Sequence, residues 1–387
     1  MGNTFSGDRY APGGVAADGS YRFQWNLTSR DLIDPVKLVL PPDNVLPVVF
    51  VPGIMGSNLR KKSDGDPVWR LDELHGWKRF LFNHGPIKDQ PIGLALDMRN
   101  KKPGARQKLM HPDRVEVDSE GHVPDELVGS VTSTEEYRAR GWGEVAESSY
   151  HPFLLWLEER LNGQGYNPAK WSDFYYTAVS ATPKPGEKPP EPKLFPGIDM
   201  HMPGLPDKAE IGGRPDPVTS DELIKRAGFR MPVYACGYNW LASNHVAALR
   251  LQHCVQQIVA ENNKGRSRCS QVIVVTHSMG GLVGRACQKL PGMQAMIAGI
   301  VHGAMPTVGA AVAYRRCKVG MRDESAIAGM VIGEDGPSVT AVFAQAPGAL
   351  ELLPTEQYHP AWLAFADQSG KPIDNSQPAG GDPYEAI

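Results

Sequence analysis

Apolar positions along this chain fall into two regimes. In the first, short unbroken runs of β-branched residues are cut off by glycine or proline. Leu46–Val51 (LPVVFV) is the first of these, and Pro52-Gly53 ends it. Pro232–Trp240 (PVYACGYNW), Val272–Val275 and Ile297–Val301 repeat the pattern, and Val339–Phe343 reads as one more short strand. Runs of this kind suit strands covered on both faces. In the second regime the apolar residues return every three or four positions. Phe153, Leu154, Leu157 and Leu161 share one face of a helix over Tyr150–Leu161. Leu251, Cys254, Val255, Ile258 and Val259 do the same within 244–262, and a further helix is expected over 279–290. Strands alternating with helices imply crossover connections and a parallel sheet.

Other stretches carry little periodicity. Residues 1–44 are rich in glycine, proline and polar residues and read as an extension, with one short strand near Tyr21–Trp25. Residues 45–387 then form the main domain, interrupted by insertions at about 57–145 and 182–230. The first insertion contains an apolar cluster, Trp77–Phe82 (WKRFLF). The second opens with the proline-dense PKPGEKPPEPKLFPG, which reads as irregular loop. Both are expected to act as lids over the crevice of the main domain.

Composition narrows the class. The 387 residues are 41% hydrophobic and 21% charged, enough apolar material for a large core. A net charge of -3, without basic runs, argues against a nucleic-acid partner. Five cysteines, none in a CxxC pair, read as reduced thiols, which makes the cytoplasm the default compartment. No zinc-type Cys/His cluster occurs that would argue for a nucleic-acid partner after all. The N-terminus has no apolar signal-peptide core, and no run of about 18 apolar residues is long enough to span a bilayer. Any membrane contact is therefore expected to be peripheral, and any export to use a route without such a signal.

The chemistry concentrates in one segment, Val272-Ile-Val-Val-Thr-His-Ser278-Met-Gly-Gly-Leu-Val283. An apolar strand turns sharply into a helix, with a serine at the corner. Such a turn lifts the hydroxyl into a crevice, and the helix N-terminus behind it favours negative charge. A serine that merely caps a helix would also follow a strand. The small residues around the corner favour the nucleophile, Ser278. Thr276 replaces the first glycine of G-x-S-x-G, and Gly280 fills the last. The fold expected from this turn is the α/β-hydrolase fold, a mostly parallel sheet flanked by helices.

Acyl transfer passes through a tetrahedral oxyanion, which needs preorganised N–H donors. The residue after the nucleophile, Met279, supplies one. The second is expected from the glycine-rich loop Pro52-Gly53-Ile54-Met55-Gly56 after the first strand, with Ile54 as the assignment and Met55 as the alternative.

The blocks VPGIMGSNL, Val68-Trp69, Tyr238-Asn239-Trp240, THSMGG and VHGAMPTVG (Val301–Gly309) occur in that order. Together they resemble the lecithin:cholesterol acyltransferase-like and PGAP1-like hydrolases, including bacterial lipase effectors. The resemblance spans the core blocks within about 46–310. It implies hydrolysis or transfer of a lipid acyl chain without metal or cofactor. His277 then stands where the family carries a spacer, and His302 is expected to be structural or pocket-lining. Asn239 stands where an acid is usual in its block.

A nucleophilic serine also needs a base, and the base an orienting acid. In this fold both follow the serine. The histidines after Ser278 are His302 and His359. His359 precedes a proline at the expected start of a helix over 361–366, a surface setting. The triad is therefore expected to be incomplete within residues 1–387, with its histidine and acid unassigned. Two other readings stay open: a non-catalytic protein of the same fold that binds lipid or a partner, and a serine peptidase or thioesterase.

Overall fold

A computed structural model of the chain describes residues 9–15, 20–23, 36–70, 98, 100–124, 132–162, 225–324, 329, 331–358, 362–363, 367–369 and 371. The strands, in chain order, are β1 Arg9–Val15, β2 Tyr21–Phe23, β3 Val36–Val39, β4 Asn44–Val45, β5 Val48–Val51, β6 Leu59–Lys61, β7 Pro67–Trp69, β8 Val115–Val117, β9 Phe229–Arg230, β10 Val233–Ala235, β11 Val272–His277 and β12 Ile297–Gly303. The helices are α1 Pro103–Leu109, α2 Thr134–Ala139, α3 Glu147–Asn162, α4 Asn244–Glu261, α5 Gly280–Gln288, α6 Met293–Met296, α7 Ala311–Val319, α8 Gly336–Phe343 and α9 Pro347–Leu350.

The central sheet has the order β10-β5-β11-β12, all parallel. Its strands separate two apolar clusters, because successive side chains point to opposite faces. Val49 and Val51 of β5 join Val272 and Val274 of β11 and the buried face of α4 (Leu251, Val255, Ile258). Val48 and Phe50 face the other way and pack with Val233, Ala235, Trp142 and Leu154 of α3. Both faces are covered, as the unbroken apolar runs require.

The topology places a crevice. From β5 the chain leads on to β10 at one edge; from β11 it leads through α5 to β12 at the other. Neighbouring strands whose connections part in opposite directions leave an opening at their C-terminal ends, and ligands of open α/β sheets bind there. The loops that start at Pro52 and Ser278 meet at that point.

Three expectations need adjustment. Residues 336–343 are helical, not a strand. Asp335 caps that helix by accepting the Ser338 N–H at 2.8 Å, and Pro337 sits in its first turn, so local capping overrides the β-branched run. The described part of 57–145 includes a three-stranded antiparallel sheet, β7-β6-β8. Its Leu59, Val68, Trp69 and Val115 are buried in the main core, so this part is not a detached cap. Within 1–44 lie three short strands in one sheet, β2-β1-β3, where one was expected. The Trp77–Phe82 cluster and the proline-dense loop lie outside the described residues.

Candidate active site

Ser278 occupies the corner between β11 and α5 in a left-handed backbone conformation, φ 50°. Only two other non-glycine residues with positive φ occur among the described residues, Met55 and Ala304. All three lie in the loops that follow neighbouring strands β5, β11 and β12. Strained backbone is held only where its surroundings over-determine it, and it gathers at functional sites. Here the Ser278 N–H donates to the Gly303 carbonyl at 2.8 Å, and the Ser278 carbonyl accepts from the Gly281 N–H at 2.9 Å.

The small residues around the corner have steric reasons. A Cβ on Gly280 would run into the Pro52 carbonyl and stand 2.5 Å from the Val51 carbonyl oxygen. On Gly281 it would meet the Met305 side chain at 2.5 Å. Thr276 fits where a glycine is usual because Gly284 faces it; a Cβ there would come within 3.0 Å of the threonine methyl.

The loop after β5 is pinned by the polar tips of four aromatic residues. Tyr238 donates its hydroxyl to the Pro52 carbonyl at 2.9 Å. Trp69 donates its indole N–H to the Met55 carbonyl at 2.7 Å, and Trp240 donates to the Ser57 carbonyl at 3.3 Å. The Tyr150 hydroxyl accepts the Gly53 N–H at 3.1 Å. Rigid, buried aromatics fix backbone at little entropic expense. This accounts for the Trp69 and Tyr238/Trp240 blocks in the sequence. Asn239, between the last two, donates its amide to the Pro112 and Val115 carbonyls at 2.8 and 3.3 Å. Its side-chain oxygen accepts the Leu241 N–H at 3.2 Å. An amide suits two facing carbonyls, where a carboxylate would be repelled.

Hydrogen-bond occupancy sorts the backbone donors. Gly53 N–H is taken by Tyr150, and Gly56 N–H by the Gly53 carbonyl at 3.0 Å. Among the described residues the N–H groups of Ile54, Met55 and Met279 make no hydrogen bond. Those are the three named from the sequence.

Two histidines flank Ser278, and both have Nδ1 engaged. His277 Nδ1 lies 3.0 Å from the Tyr150 hydroxyl. Because that hydroxyl already accepts from Gly53, its hydrogen is available to Nδ1. Burial lowers the His277 pKa, consistent with a neutral acceptor ring. His302 Nδ1 lies 2.8 Å from the Thr276 hydroxyl. Burial, and then the charge of Arg285, lower its pKa too. Among the described residues no imidazole hydrogen-bonds the Ser278 hydroxyl. His359 lies outside them. All five cysteines are free, and the Cys236 and Cys254 sulfurs are 2.9 Å apart, a proximity that their sequence spacing does not reveal. Tyr150 is the site residue that sequence reasoning missed: it falls at the start of a helical pattern and belongs to no motif.

Residues 222–321 match the PGAP1-like alpha/beta domain family, a span that includes Ser278 and the Val301–Gly309 block. A chain in the crystal structure of the Tle4–Tli4 complex superposes with a TM-score of 0.62 at 32% identity. The match covers 88% of the present chain and 62% of that one, so the chain spans less than two thirds of that structure's length. No curated protein matches the sequence. The likeness read from the sequence blocks therefore holds. Residues 222–321 are thus similar to the PGAP1-like alpha/beta domain, and the chain has an α/β-hydrolase fold.

Proposed function

We propose that this chain, an α/β-hydrolase fold whose residues 222–321 resemble the PGAP1-like domain, is a serine hydrolase of acyl esters, with lipid esters as its substrate class. One observation carries the reading. The strained Ser278 corner abuts a pinned loop whose unpaired N–H groups, with that of Met279, point to an oxyanion hole. In this mechanism the Ser278 Oγ attacks the ester carbonyl carbon, a C–O bond forms, and the carbonyl electron pair moves to oxygen. The N–H groups of Met279 and Ile54 stabilise that charge, with Met55 as the alternative second donor. Collapse expels the alcohol, and water or an acceptor alcohol then takes the acyl group. The first outcome is hydrolysis and the second acyl transfer. No metal or organic cofactor enters this chemistry.

The proton on Ser278 needs a base. Neither His277 nor His302 offers its Nδ1, and His359 is the later histidine in the chain. Our reading keeps the triad incomplete within residues 1–387, which favours slow turnover sustained by the oxyanion hole and binding alone. The same observation supports a second reading, a non-catalytic lipid- or partner-binding protein of this fold.

The experiment is labelling with a fluorophosphonate probe, together with hydrolysis of a short-chain p-nitrophenyl ester and of phospholipid vesicles. Labelling and turnover that vanish in Ser278→Ala are expected. Undiminished hydrolysis in that variant removes Ser278 from the mechanism, and absence of labelling in the parent favours the binding protein. A thioesterase or peptidase would instead show its preference on a thioester or an amide. Substitution of His359 tests the base: lost activity in His359→Ala would complete the triad within the chain.

A further inference from the structure

His122, Glu147 and His151 converge on one point. His122 lies in the loop after β8; Glu147 and His151 are one turn apart on α3. One ligand atom from each lies within 4.8 Å of the other two. His122 Nδ1 and a Glu147 carboxylate oxygen are already 2.9 Å apart.

The third member has the clearest signature. His151 is 3% exposed, and its Nε2 lies 3.0 Å from the Trp142 carbonyl. A carbonyl only accepts, so Nε2 carries the hydrogen and Nδ1 keeps a bare lone pair. That Nδ1 is buried and has no partner among the described residues. A buried acceptor left unpaired is destabilising, so it is rarely kept without a use. It is also what a metal-binding imidazole looks like before the ion arrives: one nitrogen fixed by a carbonyl, the other left without a partner, in a ring that shares its surroundings with a carboxylate and a second imidazole.

We propose that His122, Glu147 and His151 bind one zinc-like divalent transition-metal ion. Two imidazoles and a carboxylate are the donors that such ions take, leaving a fourth position for water. Bond lengths of about 2.0–2.2 Å require the donors to draw inward from their present spread. His122 and Glu147 can do so, since their side chains are 41% and 27% exposed. The ion clamps the loop after β8 to the first turns of α3. That helix also carries Tyr150, which holds Gly53 and His277, so metal binding stiffens the scaffold beneath the Ser278 corner. The inference does not depend on the proposed hydrolase activity. Its sequence signal is the pairing of Glu147 and His151 at i and i+4, with His122 far upstream.

The test uses the full chain after dialysis against a chelator. Zinc is titrated by calorimetry, bound metal is counted by mass spectrometry, and thermal melts are recorded with and without zinc. One equivalent of zinc and a raised Tm are expected. Cobalt(II) in its place should give the visible d–d bands of a low-coordinate nitrogen/oxygen site. His122→Ala and Glu147→Gln alter more exposed side chains and should leave the fold intact. Each should weaken zinc binding at least tenfold, about the loss that even an outer-shell partner can cause. Wild-type affinity in both variants overturns the assignment. So does a thiolate-to-cobalt charge-transfer band, which would place the ion on cysteines. Failure of the parent chain to bind zinc above the level of both variants also overturns it.

Discussion

Gly53 lies directly against Ser278: a Cβ on the glycine would stand 3.0 Å from the serine Cβ and 3.1 Å from His277 Nδ1. The loop after β5 thus approaches the corner after β11 at a separation that glycine fits without any adjustment of its neighbours. Close backbone approach, and not an unusual φ, is the reason for glycine at 53. Gly53→Ala forces the two loops apart by a few tenths of an ångström and costs about 1–3 kcal/mol through overpacking. Ester hydrolysis and fluorophosphonate labelling should fall about 10- to 100-fold, since small misplacements of reacting groups are expensive. Gly104→Ala in α1 is the control. Nothing lies within 4 Å of its added methyl, and alanine favours helix by about 0.5–1 kcal/mol, so its Tm should hold or rise. Unchanged activity in Gly53→Ala would separate this loop from the chemistry.

Tyr150→Phe keeps the ring and removes one oxygen with two jobs. The Gly53 N–H loses its acceptor, which costs roughly 1–3 kcal/mol if water does not replace it. Turnover should drop about tenfold for each 1.4 kcal/mol of lost alignment in the transition state. His277 loses the hydroxyl that stabilises its neutral form, so its pKa should rise. The pH dependence follows from the lowered folded pKa of His277. As pH falls through 6.5 the unfolded chain takes up the proton first, so stability from this group declines down to the folded pKa and levels off below it. The variant should show a smaller decline. An NMR titration of the His277 ring checks the shift; an unmoved or lowered pKa would mean that the Tyr150 hydroxyl does not face Nδ1.

Much of this scaffold is readable in the sequence. β5, β11 and β12 are apolar runs that end at glycine or at the Ser278 corner, and the apolar period of α4 buries Leu251, Val255 and Ile258 as expected. The Gly53 loop and the Ser278 turn are each weak alone, but chain order and small residues pair them, and the fold brings them into contact. Other features were not legible, for physical reasons. Val339–Phe343 is too short for periodicity to separate helix from strand, although Asp335 and Pro337 carried the capping signal. The placement of Tyr150 depends on how α3 packs on Phe50, with ring centroids 4.9 Å apart, and no local pattern encodes that. The orphan Nδ1 of His151 follows from a carbonyl near in sequence and a loop distant in it.

Asn239→Asp asks whether the family block needs a charge at this position. The Asn239 amide donates to the carbonyls of Pro112 and Val115, and its oxygen accepts from the Leu241 N–H. An aspartate keeps the last bond, but sets its second oxygen against two carbonyl oxygens. Protonation relieves this, because a carboxylic acid can donate to one of them. The folded state therefore binds the proton more tightly than the unfolded chain, and the new carboxyl has a raised pKa. Since the folded form holds more protons, stability falls as pH rises through the ordinary carboxylate value of about 3.9, and continues to fall up to the folded pKa. Near pH 4 the variant should unfold close to the parent's urea midpoint; by pH 7 it should unfold at lower urea. Ester hydrolysis should not increase, because the side chain serves the β7-β6-β8 sheet and not the reacting atoms. A variant equally stable at both pH values, or one with faster hydrolysis, would show that the site accepts a negative charge and that Asn239 replaces a working acid.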